Sequence, residues 1–350
     1  MKNYRPLYFV TTLIFALGII LGSGCSEDGG GGGTINPNNN PPPPANAVGI
    51  DAKNHSCFSR PQAASRLIMS NGQDGYYLDT VKTGDVLTIT TSGGVTMAPG
   101  ALENIGPEGM IINFPSNILS FIGGNAPGSS MMYAKDEGGQ LVIRPTFIGS
   151  GFTYYHTSSR KFKLYLCIWD LTSEFGNNSG IRTVTTNKST QATPYTKSTV
   201  MVDLEETFGW DPNTYALFEN IDVLLNDRLE FNIPGRSLWT TNGFGALIPP
   251  VSPLNGHNPL WVNGNSVSSQ YPTYIFGFPR GFNSLFRGGE WWGSLGIRIA
   301  NTVLPVPQQG ILTAPNPGDL FIYPVNHPNF IGTPPNEKAL GSTFVTVTAQ

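Results

Sequence analysis

The chain has 350 residues, only 12% of them charged, whereas soluble domains ordinarily carry about 25%; its 42 Gly and 29 Pro leave little room for long helices. The formal net charge of −3, with 20 Lys plus Arg scattered along the chain, offers no basic face for nucleic acid, and that class of function is set aside. A surface so poor in charge must be rich in Ser, Thr, Asn, Gln and Gly, as in exported β proteins, and the length suits two domains of ordinary size.

Lys2 and Arg5 precede an apolar run from Leu7 to Leu21 that ends in Gly22-Ser23-Gly24-Cys25. A run of about 15 residues is short of the ~20 that a bilayer-spanning helix needs, and small residues before a Cys suit cleavage. Residues 1–24 therefore read as an export signal. They resemble a bacterial lipoprotein signal with Cys25 as the acylated residue, although Gly22 stands where the lipobox usually has Leu, and Leu21 lies one step earlier. At ~0.8 kcal/mol per buried methylene, more than one acyl chain makes a stable membrane anchor. That implies a place in the bacterial cell envelope, on the outer membrane or the cell surface. Residues 25–47 carry a Gly run, Gly29 to Gly33, then Asn38 to Pro44 with consecutive Asn and Pro. Such a segment has no core-forming side chains and reads as a tether of roughly 25 Å reach.

Besides Cys25 there are Cys57 and Cys167, without the paired spacing of a zinc site. They form one disulfide in an oxidising compartment, or remain two buried thiols. Val81 to Gly93 reads as a turn and an alternating strand, Gly84-Asp85-Val86-Leu87-Thr88-Ile89 at its centre. Lys163 to Asp170 reads as a strand running into a polar loop, closed by a strand from Gly180 to Thr186. Val223 to Gly235, Asp319 to Asn326 and Gly341 to Thr348 repeat this order. The pattern predicts an internal duplication: an all-β chain of two antiparallel β-sandwich domains in tandem, 48–190 and 195–350.

The loop Trp169-Asp170-Leu171-Thr172-Ser173-Glu174-Phe175-Gly176-Asn177-Asn178-Ser179-Gly180 holds two carboxylates and two adjacent carboxamides with no basic side chain. Oxygen donors without thiol or imidazole favour a hard cation, calcium above zinc or copper.

Gly84-Asp85, then Gly106-Pro107-Glu108-Gly109 with Ile122-Gly123 downstream, then Asp170 and Gly176-Asn177-Asn178-Ser179-Gly180 stand in an order that resembles the PA-IL-like lectins. These are calcium-dependent, galactose-binding bacterial β-sandwich domains, and the resemblance covers roughly residues 48 to 187. It implies a Ca2+ ion held by the side chains of Asp170, Asn177 and Asn178 and by the backbone carbonyls of Glu174 and Met97. It further implies a sugar whose two hydroxyls complete the sphere while touching Asp170, Asn177 and the backbone N–H of Leu171. The family's galactose-contacting His and Gln fall in Met110 to Ser116, where Asn113 or Phe114 is nearest to the His position and nothing replaces the Gln. Asn113 is the candidate sugar contact there. In the second half, Val325-Asn326-His327 has no carboxylate at the Asp position, and Pro334-Pro335-Asn336-Glu337 replaces the Asn pair, so that half is expected to be metal-free.

Glu290-Trp291-Trp292, with Phe278, Phe282 and Phe286 nearby, offers either a sugar-stacking platform or filling for the second core, and the core is the reading preferred here. The four histidines have no metal spacing, no carboxylate pair stands out for glycoside hydrolysis, and neither a Gly-x-Ser-x-Gly elbow nor a phosphate-binding Gly loop occurs. The expectation is a binding module without catalysis: a lipid-anchored lectin using calcium to hold a glycan. The alternative is a structural or protein-interaction lipoprotein that keeps the lectin-like fold and no longer binds sugar.

Overall fold

The structure is a computed structural model describing residues 46–58, 67–100, 102–110, 127–170, 175–203, 206–207, 211–234, 295–307, 310–324 and 341–350. Strand β1 (Val48–Asp51) passes through one helical turn, α1 (Ala52–His55), into β2 (Ser56–Phe58), and β3 (Ile68–Met69) lies beyond. Then come β4 (Tyr76–Val81), β5 (Asp85–Ser92), β6 (Val95–Thr96), β7 (Ser130–Asp136) and β8 (Leu141–Phe147). β9 (Gly151–Tyr155), β10 (Phe162–Trp169) and β11 (Ser179–Thr190) complete the first half. The second half has β12 (Lys197–Asp203), β13 (Ala216–Leu217), β14 (Arg228–Asn232) and β15 (Leu295–Ile299). It ends with β16 (Thr302–Pro305), β17 (Ile311–Thr313), β18 (Leu320–Pro324) and β19 (Ser342–Ala349).

Alternation drives these strands: in β5, Leu87 and Ile89 are buried while Thr88, Thr90 and Ser92 face solvent. The fold is all-β, built as sandwiches. One sheet runs β1-β11-β5-β9, with β6 also on β11, and a second runs β3-β2-β10-β7-β8, with β4 also on β10. The remaining sheets run β12-β19-β14-β17 and β13-β18-β15-β16. Strand for strand, β12, β19, β14 and β17 occupy the places of β1, β11, β5 and β9, and β13, β18, β15 and β16 those of β4, β10, β7 and β8.

Among the strand pairs of the described residues, one departs from the antiparallel expectation. β2 lies parallel to β10, Ser56 opposite Ile168 and Cys57 opposite Trp169. The reason is the route of the chain: β1 belongs to the first sheet, and the tight turn α1 carries it across to the second, so that β2 arrives in the direction of β10. Cys57 and Cys167 are joined by a disulfide with their Cα atoms 5.7 Å apart, which decides between the two states open to them.

Ile50, Leu87, Ile89, Met132, Leu166 and Val184 fill the space between the first two sheets, and Val202, Phe231, Ile297, Ile322 and Val347 do so between the others. Phe344 of β19 is buried in the first of these cores, not the second. A buried ion pair, Arg144 Nε to Asp203 Oδ2 at 2.9 Å, ties β8 to the end of β12. Among the described residues no helix is long and apolar enough to cross a membrane.

Candidate cation site

The site begins where β10 stops. Asp170 is 3% exposed, and its N–H donates to the Cys57 carbonyl at 3.0 Å, extending the parallel pair by one bond. A single 3-10 turn, Phe175–Asn177, leads to Asn178, which is 3% exposed and adjoins the start of β11. Asn178 Nδ2 donates to Ser56 Oγ at 2.7 Å, and that hydroxyl in turn donates to the Ala52 carbonyl at 2.7 Å. Both ends of the loop are therefore fastened to the same short segment, Ser56-Cys57.

Asp170 Oδ2, Asn177 Oδ1 and Asn178 Oδ1 are all shut off from solvent. The Asn178 oxygen accepts no hydrogen bond from the described residues. A buried amide oxygen left in that state costs ~1–3 kcal/mol, and an ion is one of the things that account for such an atom.

Met97 reaches the site through β6. Thr96 is paired with Ser179 and Val95 with Gly180, so Met97 and Asn178 are the next residues along the same antiparallel ladder. The Met97 side chain is buried in a small apolar cluster with Ala52, Val95, Ile105 and Ile168, and carries no oxygen of its own, so the backbone carbonyl is the oxygen this residue has to offer. Gly180 makes the approach of β6 to β11 possible. Its φ is +95°, and a Cβ there would meet the Gly94 carbonyl oxygen at 3.1 Å and Val95 Cα at 3.2 Å.

Arg182 lies two residues further on and is fully buried. Its Nη2 donates to the carbonyls of Gly128 at 2.6 Å and of Ile105 and Gly106 at 3.3 Å each, and Nη1 donates to the Gly93 carbonyl. Burial pushes the guanidinium down to about 10, still well above neutral pH, so it remains charged. Neither Arg182 nor Ser56 stands among the residues expected from the sequence. Arg182 had a signal: it shares the strand phase of Val184 and so falls at a core position of an alternating strand. Ser56 had none beyond its place next to Cys57.

Two other segments of the lectin resemblance turn out to hold the scaffold. Asp85 is buried, accepts the Lys82 N–H at 3.0 Å and forms an ion pair with Lys188 at 3.1 Å. Glu108, in the Gly106–Gly109 turn, accepts the Ser150 N–H at 2.7 Å. Of the expected ligands, Asp170 bonds to Cys57, Asn178 bonds to Ser56, Asn177 directly precedes Asn178, and Met97 directly follows β6. Glu174, Leu171, Asn113 and Cys25 lie outside the described residues, as do Trp291, Trp292 and the second-half segment Asn326 to Glu337. Among the described residues no three His, Cys, Asp or Glu side chains cluster as a metal site. The donor set is instead one carboxylate with amide and backbone oxygens, the kind that suits a hard cation.

No protein-family model and no curated protein matches the chain. Among solved structures it is similar to the EclA N-terminal domain, described as a PllA-like lectin, at 18% identity over 41% of this chain and 95% of that one, with a TM-score of 0.25. What the site can do follows from its own donor atoms.

Proposed function

We propose that this protein is an exported, lipid-anchored lectin that holds a glycan through a calcium ion in the Asp170–Gly180 loop. The observation that carries the reading is the enclosed Asn178 Oδ1, which accepts no hydrogen bond from the described residues and lies in an oxygen-rich loop with the carboxylate of Asp170. Asp170, Asn177 and Asn178 would hold the ion with their side chains, and Met97 and Glu174 with their backbone carbonyls. When bound, calcium supplies a hard cation onto which two vicinal hydroxyls of a sugar coordinate. Asp170 and Asn177 would accept from those hydroxyls, and the Leu171 N–H and the Asn113 side chain would add contacts.

Asp170 is the single carboxylate in this ligand set. Affinity scales with ligand charge, so the site belongs with the weak extracellular modules, at ~10⁻⁴–10⁻³ M. That suits a protein outside the cytoplasm, where the signal of residues 1–24, lipidation of Cys25 and the tether of residues 25–47 would hold it on the bacterial envelope. Met110 to Ser116 lacks the His and Gln that contact galactose in the lectins, so the ligand class is a vicinal-diol glycan with galactose as one candidate.

Calorimetric titration with calcium, followed by a glycan array with and without chelator, tests the reading. Wild type should bind calcium, Asp170→Ala should not, and glycan capture should vanish with chelator. Calcium binding as tight in Asp170→Ala as in wild type would sink the site assignment. Calcium binding without any captured glycan would leave the structural surface lipoprotein as the function.

A further inference from the structure

We infer that Arg182 is a positioning residue of the cation site, setting calcium affinity through the separate loops that its guanidinium ties together. The inference rests on the calcium reading above and adds to it a residue outside the ligand set. Three of the four carbonyls that Arg182 holds lead to parts of the site. Gly93 opens the turn into β6, which pairs with Ser179 and Gly180 and runs on to Met97. Ile105 exchanges backbone hydrogen bonds with Val95 at 3.0 and 2.7 Å, bracing that same strand. Gly128 donates its N–H at 2.9 Å to the carbonyl of Trp169, the residue before Asp170.

The position itself calls for an apolar residue. Arg182 faces Ile50 across the β1–β11 ladder and shares its strand face with buried Val184. No carboxylate among the described residues forms an ion pair with it, so backbone carbonyls alone offset the desolvation of its charge. For stability alone, a hydrophobic side chain would serve as well or better. What only a guanidinium provides is a rigid fork of five donors, able to reach several carbonyls at once where a lysine would offer a single compact head. Those carbonyls belong to loops that converge on the site from different sheets, and they hold the ligand oxygens in one arrangement. Groups behind the ligands that orient them commonly govern metal affinity by ten- to a hundred-fold.

The test compares Arg182→Met, Arg182→Lys and Val184→Ala in the full chain, with calcium titration by calorimetry and thermal unfolding in chelator. Arg182→Met should weaken calcium binding by roughly ten- to a hundred-fold, with Arg182→Lys in between. Val184→Ala, a cavity on the same strand face, should lower the unfolding temperature and leave calcium affinity unchanged. Wild-type affinity in Arg182→Met overturns the inference and leaves the calcium reading intact. So does an equal loss in Val184→Ala, since affinity would then only follow stability. If Arg182→Met does not fold, Arg182→Lys decides: an affinity equal to wild type would show that charge, and not the fork of donors, is what matters. A wild-type chain that binds no calcium removes both readings together.

Discussion

The Asn178 side-chain amide donates to the hydroxyl of Ser56 at 2.7 Å, across a separation of 122 residues. Ser56 is fully buried, and the bond joins the end of the candidate calcium loop to the strand beside β10. It also fixes the orientation of the Asn178 amide: with Nδ2 occupied by the hydroxyl, Oδ1 is turned to the other side of the group.

Ser56→Ala should therefore affect both stability and the proposed metal. Removing the hydroxyl leaves a buried amide donor without its acceptor, a loss of ~1–3 kcal/mol. The orientation of Oδ1 is also released, and calcium affinity should fall by about ten-fold. Urea unfolding in chelator and calcium titration measure the two effects separately. A variant that loses stability but binds calcium like wild type would show that the Ser56 bond serves the fold alone.

Much of this architecture could be read from the chain, because a buried sheet face imposes period two on the strands. β5 and β10 are legible in that way, as is the oxygen-rich loop after Trp169. Three features were not. β2 is only three residues long, and its parallel place beside β10 comes from the α1 crossing and the Cys57–Cys167 bond, neither of which has a periodic signature. Ser56 acts through a contact 122 residues distant, which local pattern does not carry. β19 buries both of its faces: Phe344 enters the core of the first half, and Val345 and Val347 enter that of the second. Alternating strands are expected to leave one face to solvent, so the pattern of Ser342–Ala349 said nothing about which half covers which face.

His156 gives the fold a dependence on pH. The ring is buried, accepts from or donates to Tyr154 Oη through Nδ1 at 3.3 Å, and lies 2.6 Å from the Arg160 carbonyl through Nε2. The neutral tautomer with the proton on Nε2 satisfies both contacts. Burial lowers its pKa below the ordinary value of 6.5, against the smaller opposing pull of the Arg160 carbonyl, Asp85 and Glu219. The unfolded chain therefore takes up a proton that the folded chain refuses. Between the lowered folded value and about 6.5 the unfolded state binds more protons, so stability rises with pH in that window and falls as pH drops through it. His156→Gln should flatten this part of the profile. Thermal unfolding followed from pH 8 downward checks it, and an unchanged slope in the variant would assign the acid sensitivity to other groups.

Phe344 tests whether the two halves are independent. It belongs to β19 of the second half, yet its ring stacks on Phe152 at 4.8 Å and meets Tyr154 edge-on at 6.0 Å, both on β9 of the first. Met201, its partner in the β12–β19 ladder, packs against the same core. The Arg144–Asp203 ion pair and a hydrogen bond between the Thr146 and Ser342 hydroxyls at 2.8 Å lie along the same junction. A fully buried aromatic ring at this position makes the second half part of the first half's core, and the halves should unfold together. In the whole chain, Phe344→Ala should cost about 3–5 kcal/mol, the usual range for deleting a buried ring. Because the cavity opens against β9, the loss should appear in the unfolding of both halves, as one transition moved to lower urea. A shift below about 1 kcal/mol, or two separated transitions already present in wild type, would mean that the sandwiches merely abut. The proposed calcium site could then be studied in residues 48–190 alone.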